Sequence, residues 1–335
     1  MTATPEPLLE VRDLRIAIPS REGEHLAVAN IDFQVSSGEI LGLVGESGSG
    51  KSMSMLAVMG LLPAGMRASG SVRFKGQEIL GLPERQMRRL RGGRIAMIFQ
   101  DPMTALNPVL TVGAQIVEAI MLHNRSLSRR ELRSRALELM ELVAIPAPDK
   151  RFDQYPHEFS GGMRQRVVIA IAVANDPDLL IADEPTTALD VTIQAQIVDI
   201  LNKLRREKGV AIALITHDLG LVAGLADRIA ILYAGRIAEC GEIGAVFQRP
   251  RHPYTAGLLA AVPSIDADVA RLYAIRGTPP SIMDRPPGCQ FNPRCPFALP
   301  RCAERSPELR WFGENVVACH RAEELNLAPV TADAH

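Results

Sequence analysis

The run GESGSGKS at residues 45–52 has the spacing G-x-x-x-x-G-K-[ST]. It stands between the apolar text EILGLVG and a helix-periodic stretch, the setting in which this pattern binds phosphate. Gly45, Gly48 and Gly50 let successive backbone amides turn toward one point, and the following helix aims its positive end there. Ser47 and Ser49 belong to the same candidate nucleotide loop. Lys51 is expected to reach the outer phosphates and the Ser52 hydroxyl to ligate Mg2+. The plain alternative is a Gly/Ser turn that only caps a helix. A second anchor is LLIADEP, residues 179–185, an apolar strand ending in adjacent carboxylates. Asp183 is suited to holding magnesium and Glu184 to polarising the water that attacks a terminal phosphate. Together the two patterns imply hydrolysis of a nucleoside triphosphate.

The elements that must position these groups are legible as periodicities. The texts LLEVRDLRIAI and LAVANIDFQV, separated by the polar PSREGE, predict two half-buried strands in a small antiparallel layer. EILGLVG predicts a wholly buried strand and residues 51 to about 62 a helix. Between residues 111 and 175 the pattern is helical, with Ser128 and Glu131 spaced as a capping box. Apolar strands return at DLLIADE and VAIALITH, each joined to amphipathic helical text. The class is therefore α/β, with a parallel sheet covered on both faces. From about Arg276 the chain is dense in proline and cysteine and predicts an irregular, stapled appendix. The expected organisation is a domain at residues 1–262, carrying a helical insert at about 101–176, followed by a cysteine-rich extension at 263–335.

Composition narrows the function. Of 335 residues, 47% are hydrophobic and 22% charged, a balance that builds a core rather than a disordered chain. Thirty-seven Lys and Arg against 38 Asp and Glu leave no field for gripping an extended polyanion, so nucleic acid is not an expected partner. No run approaches the roughly 18 apolar residues needed to span a bilayer. The opening MTATPEPLLEVRD lacks a basic segment followed by an apolar one, which predicts a cytosolic location.

The segment FSGGMRQR, residues 159–166, resembles the signature of ATP-binding cassette (ABC) ATPases. Other elements are similar to that family in the same order: Gln100 after IAMIF as its Q-loop, TALD ending at Asp190 as its D-loop, and His217 after IALIT as its switch histidine. The resemblance implies a P-loop NTPase fold of the ABC nucleotide-binding type: a parallel core sheet, a small antiparallel β layer and a helical subdomain. It implies ATP with Mg2+, positioned by Lys51, Ser52, Asp183 and Gln100, with Glu184 activating water and His217 orienting the terminal phosphate. In that family the signature of one subunit covers the nucleotide held by another, which assigns Ser160, Gly161 and Gly162 to a partner's site. Where such ATPases place an aromatic residue against adenine, this chain offers Ile18, so phosphate contacts are expected to dominate.

SGGMRQR, QDPMTALNP, RHPYTAGLL and the terminal cysteines narrow the resemblance to ATP-binding subunits of oligopeptide/dipeptide (peptide/nickel) ABC importers. This implies a peripheral protein at the cytoplasmic face of the cell membrane, driving uptake of di- and oligopeptides. Its partners would be a second ABC ATPase subunit, the same or a related chain, two integral membrane permease subunits and, indirectly, an extracytoplasmic solute-binding protein. Nickel chelates, glutathione and oligosaccharides are the alternative cargoes. A soluble ABC-type ATPase is disfavoured by the neutral charge, and a P-loop kinase by the signature. His252 and Tyr254, within RHPYTAGLL, read more simply as packing residues of a helix.

Cys289, Cys295, Cys302 and Cys319 are separated by five, six and sixteen residues. In a reducing compartment such a cluster favours a metal over disulfides, but the spacing lacks the close pairs of zinc ribbons. The resemblance to peptide-importer ATPases implies a [4Fe-4S] cluster on these four residues. Zinc and plain buried thiols remain the alternatives. Cys240 lies in strand-like text and is expected to be buried.

Overall fold

Four short runs, ILGLV, IAMI, LLIAD and AIALIT, are buried along their whole length. Such runs form strands covered on both faces, because alternation is lost where neither face meets water. The computed structural model describes residues 6–21, 23–101, 105–187, 189–261 and 274–327. In chain order these form β1 (Leu9–Ser20), β2 (Gly23–Val35), β3 (Ile40–Val44), α1 (Lys51–Val58), β4 (Arg67–Phe74), β5 (Gln77–Glu78), α2 (Glu84–Leu90) and β6 (Ile95–Ile98). The helical region follows as α3 (Val112–His123), α4 (Arg129–Leu142), α5 (Pro148–Arg151) and α6 (Gly161–Ala172). Then come β7 (Leu179–Asp183), α7 (Val191–Lys208), β8 (Ala211–Thr216), α8 (Leu219–Leu225), β9 (Arg228–Tyr233), β10 (Arg236–Glu242), α9 (Ile243–Gln248) and α10 (Pro253–Ala260). The extension carries α11 (Pro300–Glu304), β11 (Arg310–Phe312) and β12 (Asn315–Val317). The expected boundary at 262–263, part of QDPMTALNP, and Ala188 of TALD lie outside the described residues.

The chain divides into two units. The first comprises residues 1–8, 35–39 and 81–215. Its strands β6, β7 and β8 are parallel, with Ile95 opposite Leu179 and Leu179 opposite Ala211. The helical insert belongs to this unit, and the capping box at Ser128 and Glu131 forms as the spacing predicts.

The second unit comprises residues 9–34, 40–80 and 216–335. It holds the antiparallel layer, which is larger than the two strands expected: its order is β2-β1-β4-β5. The polar, glycine-containing text of β4 hid its strand character, and pairing with β1 from Leu9–Phe74 to Ala17–Arg67 supplies it. In the same unit β3 pairs parallel with β9, and β9 turns back into antiparallel β10. That hairpin turns through Ala234 and Gly235, both at positive φ, the conformation of a tight two-residue loop. The extension joins here, because β12 pairs antiparallel with β10 and β11 with β12. Cys240 lies in β10 and is buried.

His252 and Tyr254 are packing residues at the start of α10, as the plainer reading held. His252 is 3% exposed and caps the helix, its Nδ1 accepting from the Tyr254 amide at 3.0 Å. Burial holds its pKa down to about 4, while a hydrogen bond to the Ala318 backbone acts in the opposite sense. The imidazole is therefore neutral in the fold and regains an ordinary value of 6.5 when unfolded. Between those values the unfolded chain binds more protons, so stability is lost as pH falls from 6.5 toward 4, by up to about 3 kcal/mol. The adjacent Glu239 is raised by burial and acts in the opposite direction, so the difference between two proteins is the useful quantity. His252→Asn, which keeps a capping acceptor, is expected to flatten the loss of melting temperature over this range; an unchanged pH profile would refute the assignment.

Candidate functional site

The phosphate-binding pattern folds as its spacing requires. Gly45 closes β3 at φ 156, and a Cβ there would stand 2.1 Å from the Leu232 carbonyl oxygen, so any side chain would collide with backbone. Lys51 begins α1 and is 6% exposed. Its ammonium donates to the carbonyls of Gly45 at 2.7 Å and Glu46 at 3.0 Å. Ser49 is buried and Ser47 and Gly48 are exposed, while Gly50 is the N-cap of α1 and Ser52 is half-buried in its first turn. A cation thus lies inside a loop of amides at a helix start that carries no acidic residue in its first turn, an arrangement suited to anionic oxygens. The β9–β10 turn braces this loop, the Gly235 amide donating to the Ser49 carbonyl at 2.9 Å. His217, in the same unit, is exposed just after β8.

In the other unit β7 ends with Asp183, which is 6% exposed. Glu184 follows with φ 48, a left-handed conformation that is costly for a residue with a side chain. Its amide donates to the Ile215 carbonyl at 2.8 Å. Its Oε2 accepts from Gln100 Nε2 at 3.0 Å and from Thr187 Oγ1 at 2.8 Å. The structure therefore brings the candidate base to the Q-loop glutamine, which the motifs separate by 84 positions. Thr187 was missed, although its place three residues after Glu184 is a recognisable turn spacing.

Ser160 is the exposed N-cap of α6, accepting from the Met163 amide at 3.4 Å. Gly161 is exposed, whereas Gly162 is buried against α7: a Cβ on it would lie 2.6 Å from Ile193 Cγ2. Asp190 caps α7, accepting from the Ile193 amide at 2.9 Å. The second signature glycine is thus required by packing between two helix starts, a reason that its motif does not disclose.

Residues 28–187 match the family model described as ABC transporter, and residues 238–302 the one described as oligopeptide/dipeptide transporter, C-terminal region. The oligopeptide transport ATP-binding protein OppD of Salmonella typhimurium is 50% identical over 328 residues, covering 97% of this chain and 98% of that protein. The chain belongs to the ABC transporter ATP-binding subunits of the oligopeptide/dipeptide type. The dipeptide transport ATP-binding protein DppD of Haemophilus influenzae is 49% identical, with 93% and 95% of the two chains covered. Among solved structures, a dimeric ATP-binding cassette in a post-hydrolysis state with ADP and Pi superposes with a TM-score of 0.64 at 27% identity, over 70% of this chain and 98% of that one. The P-loop ABC fold is therefore present, and the chain is an ATPase coupled to transport.

This ABC ATPase carries its terminal cysteines as free thiols. Cys289, Cys295, Cys302 and Cys319 line one small pocket with His252, Phe291 and Phe297. Burial pushes the Cys289 and Cys295 thiols up to about 11 and also raises Cys319, and neighbouring cysteines add to each shift. Among the described residues, however, no group of three or more His, Cys, Asp or Glu is arranged so that it could hold a metal ion. The expected ligand geometry is not formed, although the donors converge. Two of them make separate local contacts, the buried Cys302 sulfur with the Leu299 amide at 3.5 Å and the half-buried Cys319 sulfur with the Arg321 amide at 3.4 Å.

The packing of Gly162 is testable apart from the chemistry. Gly162→Ala is expected to destabilise the protein by about 1–3 kcal/mol, the usual scale of core overpacking. Ile193→Ala in the same chain should relieve most of that loss in chemical denaturation; no relief would place the strain elsewhere.

Proposed function

We propose that this chain is the ATP-hydrolysing subunit of an importer of di- and oligopeptides. The observation that carries this reading is likeness along nearly the whole chain, the C-terminal region included, to proteins named for oligopeptide and dipeptide transport. Nickel chelates, glutathione and oligosaccharides are the rival cargoes. Lys51 and the amides of the phosphate loop bind the phosphates of ATP. Glu184, held by Gln100 and Thr187, takes a proton from the attacking water, and His217 orients the terminal phosphate. Ser52, Asp183 and Gln100 are the residues that would hold Mg2+, which when bound neutralises charge on the phosphate oxygens. No covalent intermediate is required.

The α6 start is a second helix N-terminus, with Ser160 and Gly161 exposed and Gly162 buried, and Asp190 is exposed. We assign them to the nucleotide of a second ABC ATPase subunit, identical or related. The dimeric state of the similar solved cassette supports this pairing. No described helix is long and apolar enough to cross a membrane, so the path for cargo belongs to two permease subunits, with a solute-binding protein supplying them. Phe99, Val109, Met121 and Leu122, in or beside the helical insert, leave large apolar side chains exposed, which suits that insert to docking on a permease at the cytoplasmic face of the membrane.

Glu184→Gln tests the catalytic assignment. The variant, assembled with its permeases, should bind MgATP at parental affinity, accumulate a closed cassette dimer and lose at least about a hundredfold in turnover. Near-parental hydrolysis with the partner cassette inactivated would sink it.

We further propose that Cys289, Cys295, Cys302 and Cys319 are the residues that would hold a [4Fe-4S] cluster. The support for this reading is that these four cysteines, none in a disulfide, line one pocket. Such a cluster would staple an extension with little core of its own. Protein purified without oxygen should be brown, with broad visible absorption lost on Cys295→Ser; colourless protein with one equivalent of zinc would replace iron by zinc.

A further inference from the structure

Glu46 is the second residue of the phosphate loop, and its carboxylate is an obstacle to a polyanion arriving there. Its partner lies 248 residues away. Arg294, between Cys289 and Cys295, meets Glu46 as a two-pronged fork, Nη1 to Oε2 at 2.6 Å and Nη2 to Oε1 at 3.0 Å. The arginine side chain is 6% exposed and the glutamate 26%. Each remaining arm of the guanidinium is also held: Nε donates to the Arg276 carbonyl at 3.0 Å, and Nη1 to the Tyr233 hydroxyl at 3.3 Å. Its central carbon lies 5.7 Å from the Tyr233 ring centre and 5.9 Å from that of Phe291. The fork is therefore preorganised. A second clamp acts on the same residue, the Glu46 amide donating to the Tyr254 hydroxyl at 3.0 Å.

We infer that Arg294 of the cysteine-rich extension is a positioning residue for ATP binding, which neutralises Glu46 and fixes the first half of the phosphate loop. A carboxylate left unpaired beside the loop would repel the incoming phosphates and would be free to swing toward the Lys51 ammonium, whose charge the phosphates need. The same fork ties the segment that carries two of the four cysteines to the nucleotide loop, so anything that moves residues 289–295 reaches the loop through one side chain. A merely structural arginine would serve only to hold the extension down, and its loss would lower the melting temperature while leaving the Kd of the folded protein unchanged. A weakened Kd that is restored by removing the Glu46 charge is the distinguishing readout.

The inference rests on residues 45–52 being the phosphate loop, and the experiment separates the two. MgATP binding to the full chain is measured by calorimetry, alongside thermal melting. Arg294→Ala is expected to weaken the Kd by about tenfold, the scale of one lost charge-assisted pair. Glu46→Gln introduced into that variant should bring the Kd back to within about threefold of the parent, since the unpaired charge is gone. Should Arg294→Ala fail to fold, Arg294→Lys, which keeps the charge without the fork, is expected to bind within about threefold of the parent. Parental affinity in Arg294→Ala, or a double variant no better than the single one, overturns the inference, as does a tenfold loss in Arg294→Lys. Lys51→Ala, measured in parallel, should abolish binding; if it binds normally, the loop assignment itself fails.

Discussion

A loop that binds phosphate through backbone amides must hold a concave, high-energy shape before the ligand arrives, because amides that reorganise on binding give back what they gain. In this protein that shape is imposed from behind. Gly45 lies against the Leu232 carbonyl with no room for a side chain, the Gly235 amide reaches the Ser49 carbonyl, and the Tyr254 hydroxyl receives the Glu46 amide. The Arg294 fork completes the brace. Local sequence makes the loop flexible enough to adopt the geometry, and Leu232, Gly235, Tyr254 and Arg294 hold it there.

The same logic governs the carboxylate set. A left-handed residue after an apolar strand is costly, and Glu184 is kept there by its amide, which donates a hydrogen bond to the Ile215 carbonyl, and by Gln100 and Thr187 on its side chain. The strained residue stands just past the end of the buried strand and is half-buried. Gln100 thus has a structural task, holding the Glu184 carboxylate by a hydrogen bond.

The extension changes character in this light. Its text is irregular because its stability comes from elsewhere: β12 borrows the edge of β10, the Asn315 side-chain Nδ2 donates to buried Glu239 at 3.1 Å, and Arg285 donates to the Ala27 carbonyl at 2.9 Å. An appendage secured in so many ways to one unit is part of that unit. Proline and cysteine density revealed that the segment lacks helix and sheet periodicity, but gave no sign of where it would dock.

What the sequence determined by itself was everything set by short-range geometry. The loop of residues 45–52, the buried strands, the Ser128 capping box and the place of His252 and Tyr254 at a helix start all depend on neighbours within a turn or a strand. What only the tertiary structure decided depends on groups brought together across the chain. These include the β4 and β5 additions to the antiparallel layer, Gly162 against Ile193, Gln100 on Glu184, and Arg294 on Glu46. Such pairs leave no spacing to read, because the separation between partners is set by the path of the fold and not by the repeat of a helix or strand. The cysteines stand between the two cases: their types announced a shared site, and folding delivered a shared pocket, but ligand geometry is a property of sulfur positions that neither spacing nor burial dictates.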